Sequence, residues 1–137
     1  MYKYKQYEPL SIIKAVAQEM VRYCCRDLEI PEPNILYMRE IKEGDTSPVV
    51  IQHNDDILGV SSAPKGQPAV IYLHVYAGLE INTLMNTAAH EVFHLYEHYK
   101  FGVSSERKAK QYGRIAAFAI LNGMKSPREF MKREGIV

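Results

Sequence analysis

The sequence reads as an α+β domain: an amino-terminal helix, a small twisted and mostly antiparallel sheet, then an amphipathic helix followed by further carboxy-terminal helices. Three observations carry this. Apolar residues recur at helical spacing up to the Pro31/Pro33 pair, short branched-residue segments replace them as far as Gly78, and helical spacing then returns to the end of the chain. No repeat, low-complexity tract or linker interrupts that order, so residues 1–137 are read as one domain.

The first helix is expected over Ser11 to Leu28, where Ile12, Ile13, Val16, Met20, Val21 and Cys24 mark one face. Ser11 is its candidate N-cap, and Pro31 with Pro33 stops the pattern. Strands are expected at Ile35–Ile41, Val49–His53 and Ile57–Ser61, divided by Gly44-Asp45, Asn54-Asp55-Asp56 and the Ser62 to Gly66 turn. A fourth, Ala69 to Tyr76, alternates cleanly: Ile71, Leu73 and Val75 face one way, Tyr72, His74 and Tyr76 the other. Long helices follow at about Ile81–Tyr99 and Ser104–Leu121, split by Phe101-Gly102-Val103, and a short one spans Pro127 to about Glu134.

Composition narrows the function classes. The 17 basic and 16 acidic residues leave a net charge of +1, which gives no electrostatic case for nucleic acid or a membrane surface. Cys24 and Cys25 are adjacent and do not form a disulfide framework; they suit buried helix positions in a reducing compartment. The polar Met1–Tyr7 stretch lacks the apolar core of a signal peptide, and no run nears the roughly 20 apolar residues of a membrane span. A soluble cytoplasmic protein is expected.

The chemistry concentrates in Thr87-Ala88-Ala89-His90-Glu91-Val92-Phe93-His94, an H-E-x-x-H match. Histidines at i and i+4 stand one turn apart and can close on a single zinc ion, while the intervening Glu can act as general base toward an attacking water. At about 100° per residue from His90, His94 falls near 40° and Glu91 near 100°, whereas Met85, Ala88, Val92, Leu95, Tyr96 and Tyr99 occupy the opposite half. The competing reading is a solvated helix face.

Catalytic zinc takes three protein ligands. Glu97 and His98 lie roughly 10 to 12 Å along the helix axis from His90, too far to share an ion with both histidines. Glu106 is the better candidate. It follows the Ser104-Ser105 cap and heads an inward stripe of Ala109, Tyr112/Gly113, Ala116 and Ile120, on a helix that a short loop should fold antiparallel to the first. An acidic first-turn residue can also simply complement the helix dipole. Glu80 or a water would be the alternative third ligand.

His90-Glu91-Val92-Phe93-His94, followed by Glu106-Arg107-Lys108-Ala109-Lys110-Gln111-Tyr112-Gly113, resembles the ImmA/IrrE-like metallopeptidases. That family places H-E-x-x-H on one helix and an E-x-x-A-x-x-[FY]-A segment on the next. Val92-Phe93 stands where Leu-Gly is common, and Lys108-Ala109-Lys110 where Glu-Ala-Asn is usual. The resemblance implies a zincin-like fold, Zn²⁺ held by His90, His94 and Glu106, Glu91 as base, and a protein partner such as a transcriptional repressor. The expected function is hydrolysis of a peptide bond in a protein or peptide substrate. The alternative is a catalytically silent zincin-fold module that grips a protein. The Ala69–Tyr76 strand is expected at the sheet edge, where an extended peptide could add as a strand past Tyr72, His74 and Tyr76.

Overall fold

A computed structural model describes residues 2–40, 49–51, 59–75 and 79–135. The order is β1 (Tyr2–Gln6), α1 (Ser11–Leu28), β2 (Asn34–Glu40), β3 (Val49–Ile51), β4 (Gly59–Ser62), β5 (Val70–His74), α2 (Ile81–Phe101), α3 (Glu106–Leu121) and α4 (Pro127–Arg133). The α+β plan is the one the periodicity predicts. Residues 41–48, 52–58 and 76–78, among them His53, Ile57, Tyr76 and Gly78, fall outside the described residues.

The five strands form one sheet in the order β3-β1-β2-β5-β4. β1 runs antiparallel to both β2 and β3, and β4 antiparallel to β5. β2 and β5 are parallel, pairing Asn34 with Val70 through Met38 with His74. A parallel pair needs a crossover connection. Here the chain leaves β2 and returns by way of β3 and β4 before entering β5.

Two expectations change. The Tyr2–Gln6 stretch, read as a polar terminus, is a strand between β2 and β3; its Tyr-Lys-Tyr-Lys alternation was the available signal. The Ala69–Tyr76 strand is interior, because β2 and β4 flank it on either side. Its apolar residues fit that place: Ile71 and Leu73 are fully buried. The edge on this side is β4, short and rich in small residues.

α1 is bounded as expected but capped differently. Leu10, not Ser11, is the N-cap, and its carbonyl accepts from the Ile13 and Lys14 N–H groups. Glu29 turns left-handed at φ 58°, and the Ile30 N–H closes the end on the Cys25 carbonyl. The apolar faces of α1 (Ala17, Met20, Val21, Cys24, Leu28) and α2 (Leu84, Ala88, Val92, Leu95) join Ile71 and Leu73 of β5, and Val75 just after it, in a single core. α2 is the central element, packing on α1, α3, β4 and β5. Tyr99, expected on its packing face, is exposed with Phe101, because the last turn runs past its neighbours. No helix among the described residues is long and apolar enough to cross a membrane.

Asp27 fastens three helices. Its carboxylate accepts from the Tyr112 hydroxyl of α3 at 2.8 Å, the Ser126 hydroxyl at 2.6 Å and the Arg128 N–H of α4 at 3.0 Å. The buried Tyr112 hydroxyl loses its partner if this carboxylate is removed. Asp27→Ala should therefore destabilise the fold by about 2–3 kcal/mol, more than a surface substitution. Urea unfolding followed by circular dichroism checks this, and an unchanged midpoint would contradict it.

Candidate metal centre

Residues 81–101 contain neither Gly nor Pro, and α2 runs unbroken until Gly102 takes φ 75° and its N–H returns to the His98 carbonyl. The histidines one turn apart therefore project side by side. Their ring centroids are 4.7 Å apart, and the two Nε2 atoms lie 3.0 Å from each other. Both rings are mostly buried.

α3 begins where Ser105 caps it, accepting from the Lys108 N–H at 3.3 Å. Glu106 in its first turn reaches across to the histidines. Its Oε1 lies 3.1 Å from His90 Nε2 and 2.5 Å from His94 Nε2. The carboxylate thus lies in contact with both rings as well as at the helix start. The approach of the two helices depends on Gly113. A methyl there would stand 2.6 Å from Asn86 Oδ1, 2.7 Å from the Asn86 carbonyl oxygen and 3.4 Å from His90 Cβ.

Glu91 sits beside the pair, its Oε2 3.9 Å from His90 Nε2. It is buried between α2 and β4, where Gly59 leaves room: a Cβ at Gly59 would be 2.9 Å from Thr87 Cγ2 and 3.1 Å from Glu91 Cγ. Burial raises the Glu91 pKa, an effect that His90, His94 and a hydrogen bond with Ser61 offset only in part. Desolvation pushes Glu106 the same way, but hydrogen bonds and charge from His90 and His94 prevail and hold its carboxyl below the usual range. The two carboxylates are thus driven in opposite directions, one toward holding a proton and one toward staying ionised.

Ligand atoms of His90, Glu91 and His94 lie within 4.8 Å of one another, close enough to hold a metal ion. His98 is exposed, and Glu80 is the exposed N-cap of α2, remote from this group in sequence register. Tyr112 is core, its ring stacked on Phe93 at 5.0 Å. Tyr72 and His74 are half-buried on β5.

No family model, curated protein or solved structure matches the chain.

Three further residues touch the site: sequence does not single out Ser61, and it reads Ser104 only as part of a helix cap and Glu97 only as a rejected ligand. Ser61 touches Glu91, Ser104 bonds His94 Nδ1, and Glu97, buried one turn beyond His94, accepts from Ser104 and from the Ser105 N–H. Ser61 had no sequence signal. The i+3 spacing of Glu97 from His94 did place the two on one face.

Gly113→Ala tests the helix contact. Ala would gain up to about 1 kcal/mol of helix propensity, but the clash with the Asn86 backbone costs about 1–3 kcal/mol. The variant should be less stable than the parent in thermal unfolding of the metal-free protein; a higher midpoint would show that the contact can relax freely.

Proposed function

We propose that this chain is a zinc-dependent metallopeptidase. The observation that carries the reading is the meeting of His90 Nε2, His94 Nε2 and Glu106 Oε1 at separations of 2.5–3.1 Å, with the buried Glu91 carboxylate to one side. Two nitrogen donors and one carboxylate are a catalytic zinc donor set. Bonds of about 2 Å at tetrahedral angles separate ligand atoms by roughly 3.3 Å, so small side-chain rotations suffice to seat an ion. The H-E-x-x-H spacing and the resemblance to ImmA/IrrE-like enzymes agree with this set.

Bound zinc would supply Lewis acidity, polarising a peptide carbonyl and making a water acidic near neutral pH. Glu91 takes the proton of the attacking water and hands it to the leaving amine. Its raised proton affinity suits a group that must both take and give a proton near neutrality. Glu106, held ionised, contributes negative charge to the ion rather than exchanging protons. β4, the outermost strand on that side among the described residues, runs beside Glu91 and would offer backbone groups to an extended peptide by strand addition. The substrate is then a protein segment in extended form, and a regulator such as a repressor is the class the resemblance suggests.

Purified protein should carry about one zinc per chain by elemental analysis, and a chelator should abolish cleavage of an unfolded model protein. Glu91→Gln should lower cleavage at least about a hundredfold and keep the zinc. A variant that retains full biological activity without cleavage would instead support the silent binding module. Glu106→Ala should weaken zinc binding markedly in a chelator competition; an unchanged affinity would move the third ligand elsewhere.

A further inference from the structure

We infer that Glu97 and Ser104 form a relay that fixes the tautomer of His94 and so presents its Nε2 lone pair to the centre. The inference rests on the metal-site reading given above. Glu97 lies one turn beyond His94 and is too far along the axis to join His90 at one ion, yet its side chain is buried. Its Oε1 takes the Ser105 N–H at 2.8 Å and lies 3.3 Å from Ser104 Oγ. Ser104 Oγ in turn bonds His94 Nδ1.

The direction of each bond follows from what each group can do. Glu97 Oε1 is the acceptor of both the Ser104 hydroxyl and the Ser105 N–H. The Ser104 hydroxyl must therefore spend its single proton on Glu97, leaving its oxygen as an acceptor toward His94. His94 Nδ1 then has to carry hydrogen, and a neutral imidazole with hydrogen on Nδ1 has its lone pair on Nε2. That nitrogen is the one beside His90 Nε2 and Glu106 Oε1. Without a cation the Glu106 carboxylate draws hydrogen to the same nitrogen, so the relay and Glu106 oppose each other until a metal ion takes that hydrogen's place. Without the relay, neutral imidazole favours hydrogen on Nε2, the form that cannot bind metal there.

The same carboxylate has a second effect. By holding the Ser105 N–H it anchors the residue that caps α3, one position before Glu106. One buried side chain thereby orients one ligand of the proposed site and places the helix that brings another. Ser104 and Glu97 are positioning residues; neither contacts the ion. Partners of this kind typically change metal affinity about ten- to a hundredfold.

Ser104 is exposed, so Ser104→Ala removes the hydroxyl with little threat to folding, and Ser104→Thr restores it. The first readout is the ¹⁵N spectrum of the His94 ring in the metal-free Glu106→Ala protein, which lacks the carboxylate facing Nε2, at pH of about 8.5, where free imidazole is neutral. On that background the parent and Ser104→Thr should show hydrogen on Nδ1, and Ser104→Ala should shift toward hydrogen on Nε2. The second is zinc affinity by chelator competition, expected to fall about ten- to a hundredfold in Ser104→Ala and to return in Ser104→Thr. Hydrogen on Nε2 in the Glu106→Ala parent, or a Ser104→Ala change that leaves both that tautomer and the zinc affinity of the otherwise wild-type protein unaltered, overturns the relay. Should the tautomer respond as stated while wild type takes up no zinc, the relay stands and the metal reading fails.

Discussion

The centre depends on how closely α2 and α3 can approach. Two of the gathered side chains lie one turn apart on α2 and need only an unbroken helix. The Glu106 carboxylate comes from the next helix, twelve residues beyond His94, and reaches the rings only if the helices run against each other almost backbone to backbone. Gly113 against the Asn86 carbonyl makes that approach possible, and Ala109, Ala116 and Ala117 keep the α3 side chains small elsewhere. The short loop would allow many crossing geometries; steric exclusion at the glycine, and the Glu97 bond to the Ser105 N–H, select among them. Tyr112 and Asp27 then tie the far side of α3 to α1 and α4.

The same packing separates the two carboxylates electrically. Glu91 is enclosed between α2 and β4, and losing water costs its ionised form more than the histidines return. Glu106 is 64% exposed at its side chain and gives up little hydration, so its contacts with His90 and His94 prevail. Like groups a few ångströms apart thus acquire opposite tendencies because one lies behind a strand and the other on an open helix start. Residue type alone carries none of this information.

Much of the layout was legible in the sequence because periodicity and punctuation are local properties. The bounds of α1, the alternation of β5 and the capping serine of α3 follow from neighbouring residues. The antiparallel fold of α3 onto α2, and hence the placement of Glu106 near the histidines, followed from loop length and stripe register. What sequence did not show is partner choice. β1 looked like a polar terminus because nothing in Tyr2–Gln6 says that β2 and β3 lie on either side of it. β5 was taken for an edge because strand order depends on where the chain crosses, not on any residue in the strand. Glu97 was set aside as a ligand on helix length, and its contact with Ser104 emerges only once the chain after α2 brings Ser104 against His94.

The place of β4 at the end of the sheet among the described residues has a further consequence. A strand edge beside the centre is equally a template for another copy of the same chain. β4 spans four described residues, and Pro64 and Lys65 follow within a few positions. Two such edges facing each other would form too few ladder bonds to repay the entropy of association, and the proline supplies no N–H to extend them. The few ladder bonds that β4 can form thereby weigh against self-association through this strand.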